Sequence, residues 1–93
     1  RDFLMTNIYI YCLFETTKIN SFRGVYSSLK SVHRDALKLA NRGDTQVMMY
    51  YNSEQIEPTL KNLRNTFKGV CVEYVDFKTN RSVVTVFKTR LKE

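Results

Sequence analysis

Hydrophobic positions along this chain change period several times, and each change marks an element. In "TNIYIYCLFET" (6–16), β-branched and aromatic residues crowd together, which reads as a strand. Ile8, Ile10, Cys12 and Phe14 fall on one side of it, and Tyr9, Tyr11 and Leu13 on the other. Both sides are apolar or amphipathic, so the pattern predicts a central strand covered on at least one side. "TKINSF" (17–22) is polar and reads as a loop. "RGVYS" (23–27) reads as a short second strand or as the lead-in to a helix.

The period then lengthens. Ser27 or Ser28 is placed to cap a helix, because its hydroxyl can accept from a backbone amide left free in the first turn. Leu29, Val32, His33, Ala36, Leu37, Leu39 and Ala40 gather on one side of the helix that follows, and Lys30, Arg34, Lys38 and Arg42 on the other. Gly43 supplies the stop. "TQVMMYYN" (45–52) returns to alternation, with Val47, Met49 and Tyr51 opposing Met48 and Tyr50. In "SEQIEPTLKNLRNTFKG" (53–69), Ile56, Leu60, Leu63 and Phe67 trace a second helical stripe ended by Gly69. Pro58 lacks an N–H, so the regular helix is expected to begin at Glu57 or Pro58, with 53–56 a looser turn. "VCVEYVDF" (70–77), "KTNR" (78–81) and "SVVTVFKTRL" (82–91) read as a C-terminal hairpin.

The order β-(β)-α-β-α-β-β predicts an α+β fold with two helices packed on one face of a four- or five-stranded mixed sheet. Ninety-three residues make one such domain, taken as 1–93, with 1–5 read as a lead outside the fold and Met5 as a candidate natural start. The element order, size and charge are similar to those of the Alba family of small basic nucleic-acid binders. The loop after the first strand, "ETTKINSF", holds one lysine and no glycine, where that family carries a glycine- and lysine-bearing loop. "GVYSSLKSVHRDAL", a strand running into a serine-capped helix, resembles small viral and phage proteins, as does the Lys-, Asn- and Tyr-rich composition.

Charge adds a function class. Fifteen Lys and Arg against nine Asp and Glu give a formal +6, which favours polyanionic partners. The excess is spread along the chain, so there is no basic tail. On the polar side of the first helix only Asp35 interrupts the cations, whereas a face built only for solubility mixes signs. Lys61, Arg64 and Lys68 lie beside the core stripe of the second helix. The leading expectation is therefore a non-enzymatic module that binds nucleic acid through Lys30, Arg34, Lys38, Arg42, Lys61, Arg64 and Lys68. Such binding neutralises phosphate charge and reads little sequence. The bland alternative is that these cations are only the wet sides of two ordinary helices.

A second function class comes from the aromatic residues. Tyr9, Tyr11, Tyr50 and Tyr51 lie on strands, and tyrosine is enriched at protein interfaces. They are the candidate interface of a protein-binding or assembly subunit, a homodimer included. Stacking of single-stranded bases is less favoured, because no RNA-recognition signature "K/R-G-F/Y-G/A-F" is present.

Catalytic chemistry finds no foothold. His33 is the only histidine, and no Cys or carboxylate stands at ligand spacing from it; it reads as packed at the helix boundary. Cys12 and Cys71 form no metal or redox motif and read as buried free thiols. The three glycines are isolated, so there is no phosphate-cradling loop. Gly43 of Arg42-Gly43-Asp44 is accounted for as a helix stop, and Asn80-Arg81-Ser82, a glycosylation pattern, is discounted for want of any sign of secretion. No enzyme activity, metal or cofactor is expected. Neither is a membrane, since the longest apolar run, Ile8 to Phe14, is too short to span one. An intracellular location, cytoplasmic or nuclear, completes the expectation.

Overall fold

The computed structural model describes residues 8–17, 19, 21–41, 46–69 and 72–91. The lead 1–5, Arg42, Gly43, Asp44 and Cys71 lie outside the described residues.

Strands β1 (Tyr9–Glu15) and β2 (Ser21–Tyr26) come first, followed by helix α1 (Leu29–Ala40). Strands β3 (Met48–Tyr51) and β4 (Glu54–Ile56) lead to helix α2 (Leu60–Phe67), and β5 (Tyr74–Lys78) and β6 (Val83–Arg90) close the order. The strands form one sheet in the order β2-β1-β6-β5-β3-β4, and every neighbouring pair is antiparallel. The fold is α+β with both helices on one side of the sheet, as the periodicity implies. The sheet has six strands rather than four or five, and it is antiparallel rather than mixed. Each helix does cross between strands that run the same way, β2 to β3 and β4 to β5. Those strands are not neighbours, so no parallel ladder forms.

Two local differences set the strand boundaries and add the sixth strand. Residues 21 and 22, expected in a loop, extend the second strand to Ser21–Tyr26. A bulge at Leu13/Phe14 sets Arg23 outside the ladder, since Gly24 pairs with Leu13 and Phe22 with Phe14. Residues 54–56, expected as a loose turn, instead fold back on β3 as β4. Asn52 and Ser53 make that reversal with φ of 56° and 70°, the left-handed pair that a two-residue hairpin requires. The second helix starts accordingly later than Glu57 or Pro58. Thr59 caps it by accepting from the Asn62 amide at 3.0 Å, and Pro58 stands just before the cap. Ser28 plays the same part for α1, accepting from Ser31 N at 3.1 Å.

The core lies between helices and sheet. Val32, Ala36 and Ala40 of α1 and Leu63 and Phe67 of α2 are buried against Leu13, Met49, Val75, Phe77, Val84 and Val86. All these sheet residues lie on one side, because residues paired across a ladder point the same way: Leu13 opposes Val86, and Phe77 opposes both Met49 and Val84. Lys88 fastens α2 to this side. Its ammonium donates to the Phe67 carbonyl at 2.6 Å and lies 4.6 Å from the centre of the Tyr9 ring.

Candidate binding surfaces

The helix layer carries most of the expected anion-binding residues. Lys30, Arg34 and Lys38 on α1 are exposed, as are Lys61 and Arg64 on α2 and Lys68 at its C-cap. Arg42 lies outside the described residues. Neither helix has an acid in its first turn. Arg34 Nε donates to Asp35 Oδ1 at 3.1 Å, whereas Lys30, Lys38, Lys61, Arg64 and Lys68 make no ion pair with a described residue. Asp35 also accepts from the Tyr26 hydroxyl at 2.7 Å. These two donors, Tyr26 first, hold its carboxyl below the usual carboxylate range, with Lys38 adding to the effect. The partner responds in the opposite sense: desolvation and the Asp35 carboxylate push the Tyr26 phenol up to about 12.

The candidate interface tyrosines do not share a surface. Tyr9, Tyr11 and Tyr51 lie on the helix-bearing side with Leu13 and Met49. Tyr11 meets Phe67 with ring centres 5.9 Å apart, and Tyr51 packs against the core. Only Tyr50 is on the other side, where its hydroxyl donates to Gln55 at 3.0 Å and Lys78 lies over its ring.

That other side is the unexpected surface. No described helix covers it, yet it is not polar. An antiparallel sheet with one wet face normally alternates apolar inward and polar outward. Here Ile10, Cys12 and Phe14 of β1 share the uncovered face with Phe22 and Val25 of β2, Phe87 of β6 and Tyr74 of β5. Phe22 is 57% exposed, Val25 55%, Tyr74 47% and Phe87 38%, values that mark large apolar side chains left in water. Phe22, Phe87 and Tyr74 join Phe14 in a connected ring cluster across four strands. Phe14 meets Phe22 and Phe87 edge to face, each at 5.4 Å, and Phe87 meets Tyr74 at 5.6 Å. The free thiol of Cys12 lies half-buried among them. The face is also nearly free of charge: Asp76 and Lys78, both on β5, are its only described charged residues. Reading along β1 alone puts Ile10, Cys12 and Phe14 on one side, but joining them to Phe22, Tyr74 and Phe87 requires the strand register.

His33 and one cleft bear on the question of chemistry among the described residues. His33 Nε2 is 2.9 Å from the Pro58 carbonyl; a carbonyl only accepts, so this nitrogen carries the proton. The ring also stands edge-on to Phe77 at 6.1 Å, which makes it a packed link between α1, the lead-in to α2, and the sheet. A cleft of about 540 Å³ at the β1–β2 end is lined by Glu15, Arg23, Thr79, Arg81 and Ser82 among others. Its Arg23 is bound to Glu15 at 2.6 Å, and Ser82 donates to the Ala40 carbonyl at 2.8 Å. Among the described residues no group of three or more His, Cys, Asp and Glu is placed to hold a metal ion. Among them, too, no helix is long and apolar enough to cross a membrane.

Comparison with known proteins returns no match: no family model, no curated protein and no solved structure aligns with the chain. The likeness to the Alba family rests on the order β-α-β-α-β-β, and the observed order departs from it by containing β2 and β4.

Proposed function

We propose that this chain is a non-enzymatic binding module, an assembly subunit that docks on another polypeptide through the uncovered face of its sheet. One observation carries the reading: half-buried Phe14 joins exposed Phe22, Phe87 and Tyr74 in a connected ring cluster, on a face with almost no charge among the described residues. Exposed apolar patches of several hundred Å² mark interaction sites on monomers, and aromatic residues are enriched there while charged ones are depleted. Site-specific photo-crosslinking tests it. A benzophenone side chain replacing Phe87 should give a defined adduct with polypeptide in cells expressing the chain, and Phe22→Ser should suppress that adduct. Adducts with nucleic acid at position 87, or none beyond those given by the same label at Lys61, would overturn the reading.

The helix layer supports a second reading, polyanion binding by charge neutralisation. Five of its exposed cations make no ion pair with a described residue. Fluorescence anisotropy with a labelled oligonucleotide decides it. Affinity should fall steeply with salt and be lost in Lys30→Glu/Lys38→Glu/Lys61→Glu. Salt-independent binding, or binding unchanged in that variant, would remove the helix layer from consideration.

A further inference from the structure

We infer that the polypeptide covering the open sheet face is a second copy of this chain, packed about a two-fold axis with the two sheets face to face and both helix layers turned outward. This rests on the docking role proposed for that face and names its partner.

The distribution of charge argues for self-association. The chain as a whole is +6, which ordinarily keeps copies apart. The uncovered face departs from that balance. Its described charges are one acid, Asp76, and one base, Lys78, which cancel, while the exposed cations of both helices lie on the far layer. Two copies meeting on this face keep those cations at opposite ends of the assembly. A strongly acidic partner would find no matching positive field here.

Relief and edges point the same way. Phe87 and Tyr74 project beside Thr85, which is buried on the same face, and beside half-buried Cys12. The exposed rings thus stand out from a stretch of the face that is otherwise buried or half-buried, and a two-fold axis sets that patch against its own copy, as an isologous contact requires. Growth through the sheet edges is less suited. Edge strand β2 is bulged and carries Arg23, and edge strand β4 is only three residues long. Six strands about 4.8 Å apart make a face roughly 24 Å wide and about 20 Å long. In plan that is about 500 Å² before side-chain relief is added, close to what the smaller stable interfaces bury per partner.

Sedimentation velocity on the purified chain, with circular dichroism to confirm folding, tests this. The wild type should show a concentration-dependent dimer. Phe22→Thr/Phe87→Thr should be monomeric while still folded. Lys78→Asp makes the face −2 and Asp76→Lys makes it +2. Each should weaken self-association at least about tenfold through like-charge repulsion. Mixing the two should restore a dimer, and so should combining both changes in one chain. Lys78→Asp leaves the Thr85-to-Asp76 hydrogen bond intact, so that arm stands even if Asp76→Lys fails to fold. A wild type monomeric at its highest soluble concentration, or a dimer indifferent to these changes, would overturn the inference. If the purified chain is monomeric while the label at position 87 still captures one other polypeptide, the second copy is excluded and the docking role survives.

Discussion

The Tyr26 hydroxyl donates to Asp35 Oδ2 at 2.7 Å, joining the end of edge strand β2 to the middle of α1. The bond holds a strand that pairs on one edge only among the described strands, and it occupies the one acid among the cations of α1.

It also sets a pH dependence at both ends. The folded Asp35 pKa lies below its ordinary value of 3.8, so its contribution is present above that value and is lost as pH falls through the lower, folded one. The Tyr26 pKa is raised from 10.0 to about 12, so its contribution is present below 10.0 and is lost as pH rises through about 12. Tyr26→Phe should cost about 1.5 kcal/mol at neutral pH, the low end for a bond to a charged group because solvent reaches the pair. It should also flatten both limbs of the stability profile. Urea denaturation across pH checks this. Limbs of unchanged steepness in Tyr26→Phe would show that the bond does not couple to folding.

The β3–β4 turn makes a backbone prediction. Ser53 holds φ of 70°, where a side chain is strained and glycine is not. Ser53→Gly should raise stability by about 0.5–1 kcal/mol, since Asn-Gly is the preferred pair for this turn. A lower denaturation midpoint would mean that 52–53 do not make the turn described.

The two sides of the sheet should respond differently to truncation. Phe77 is fully buried under the helices, and Phe77→Ala should cost about 3–5 kcal/mol. Phe87 is 38% exposed, and Phe87→Thr in dilute solution should cost only about 1 kcal/mol, from its contacts with Phe14 and Tyr74. Equal costs would mean that the second side is already covered within one chain.

Much of this architecture was legible in the sequence because its signals are local. The serine cap and the spacing of Val32, Ala36 and Ala40 define α1, and the apolar density of β1 marks a central strand. Strand β4 was not legible: Glu54, Gln55 and Ile56 have no strand composition, and the turn before them contains no glycine. The surfaces divide the same way. The cations of α1 follow from helical spacing alone. The ring cluster on the uncovered face draws one residue from each of four strands, and only the register brings them together, as where Phe14 stands opposite Phe22. Tyr9 and Tyr11, expected as interface residues because tyrosine is enriched there, alternate in step with Leu13 and so lie with the helices.

Isotope-filtered NMR on a mixture of labelled and unlabelled chain tests the central claim most directly, because it reads contacts between copies residue by residue. Intermolecular cross-peaks are expected from the rings of Phe22, Tyr74 and Phe87 to the Ile10 methyl groups, and none from Lys61 or Arg64. Cross-peaks confined to the helix layer, or none at millimolar concentration, would contradict it.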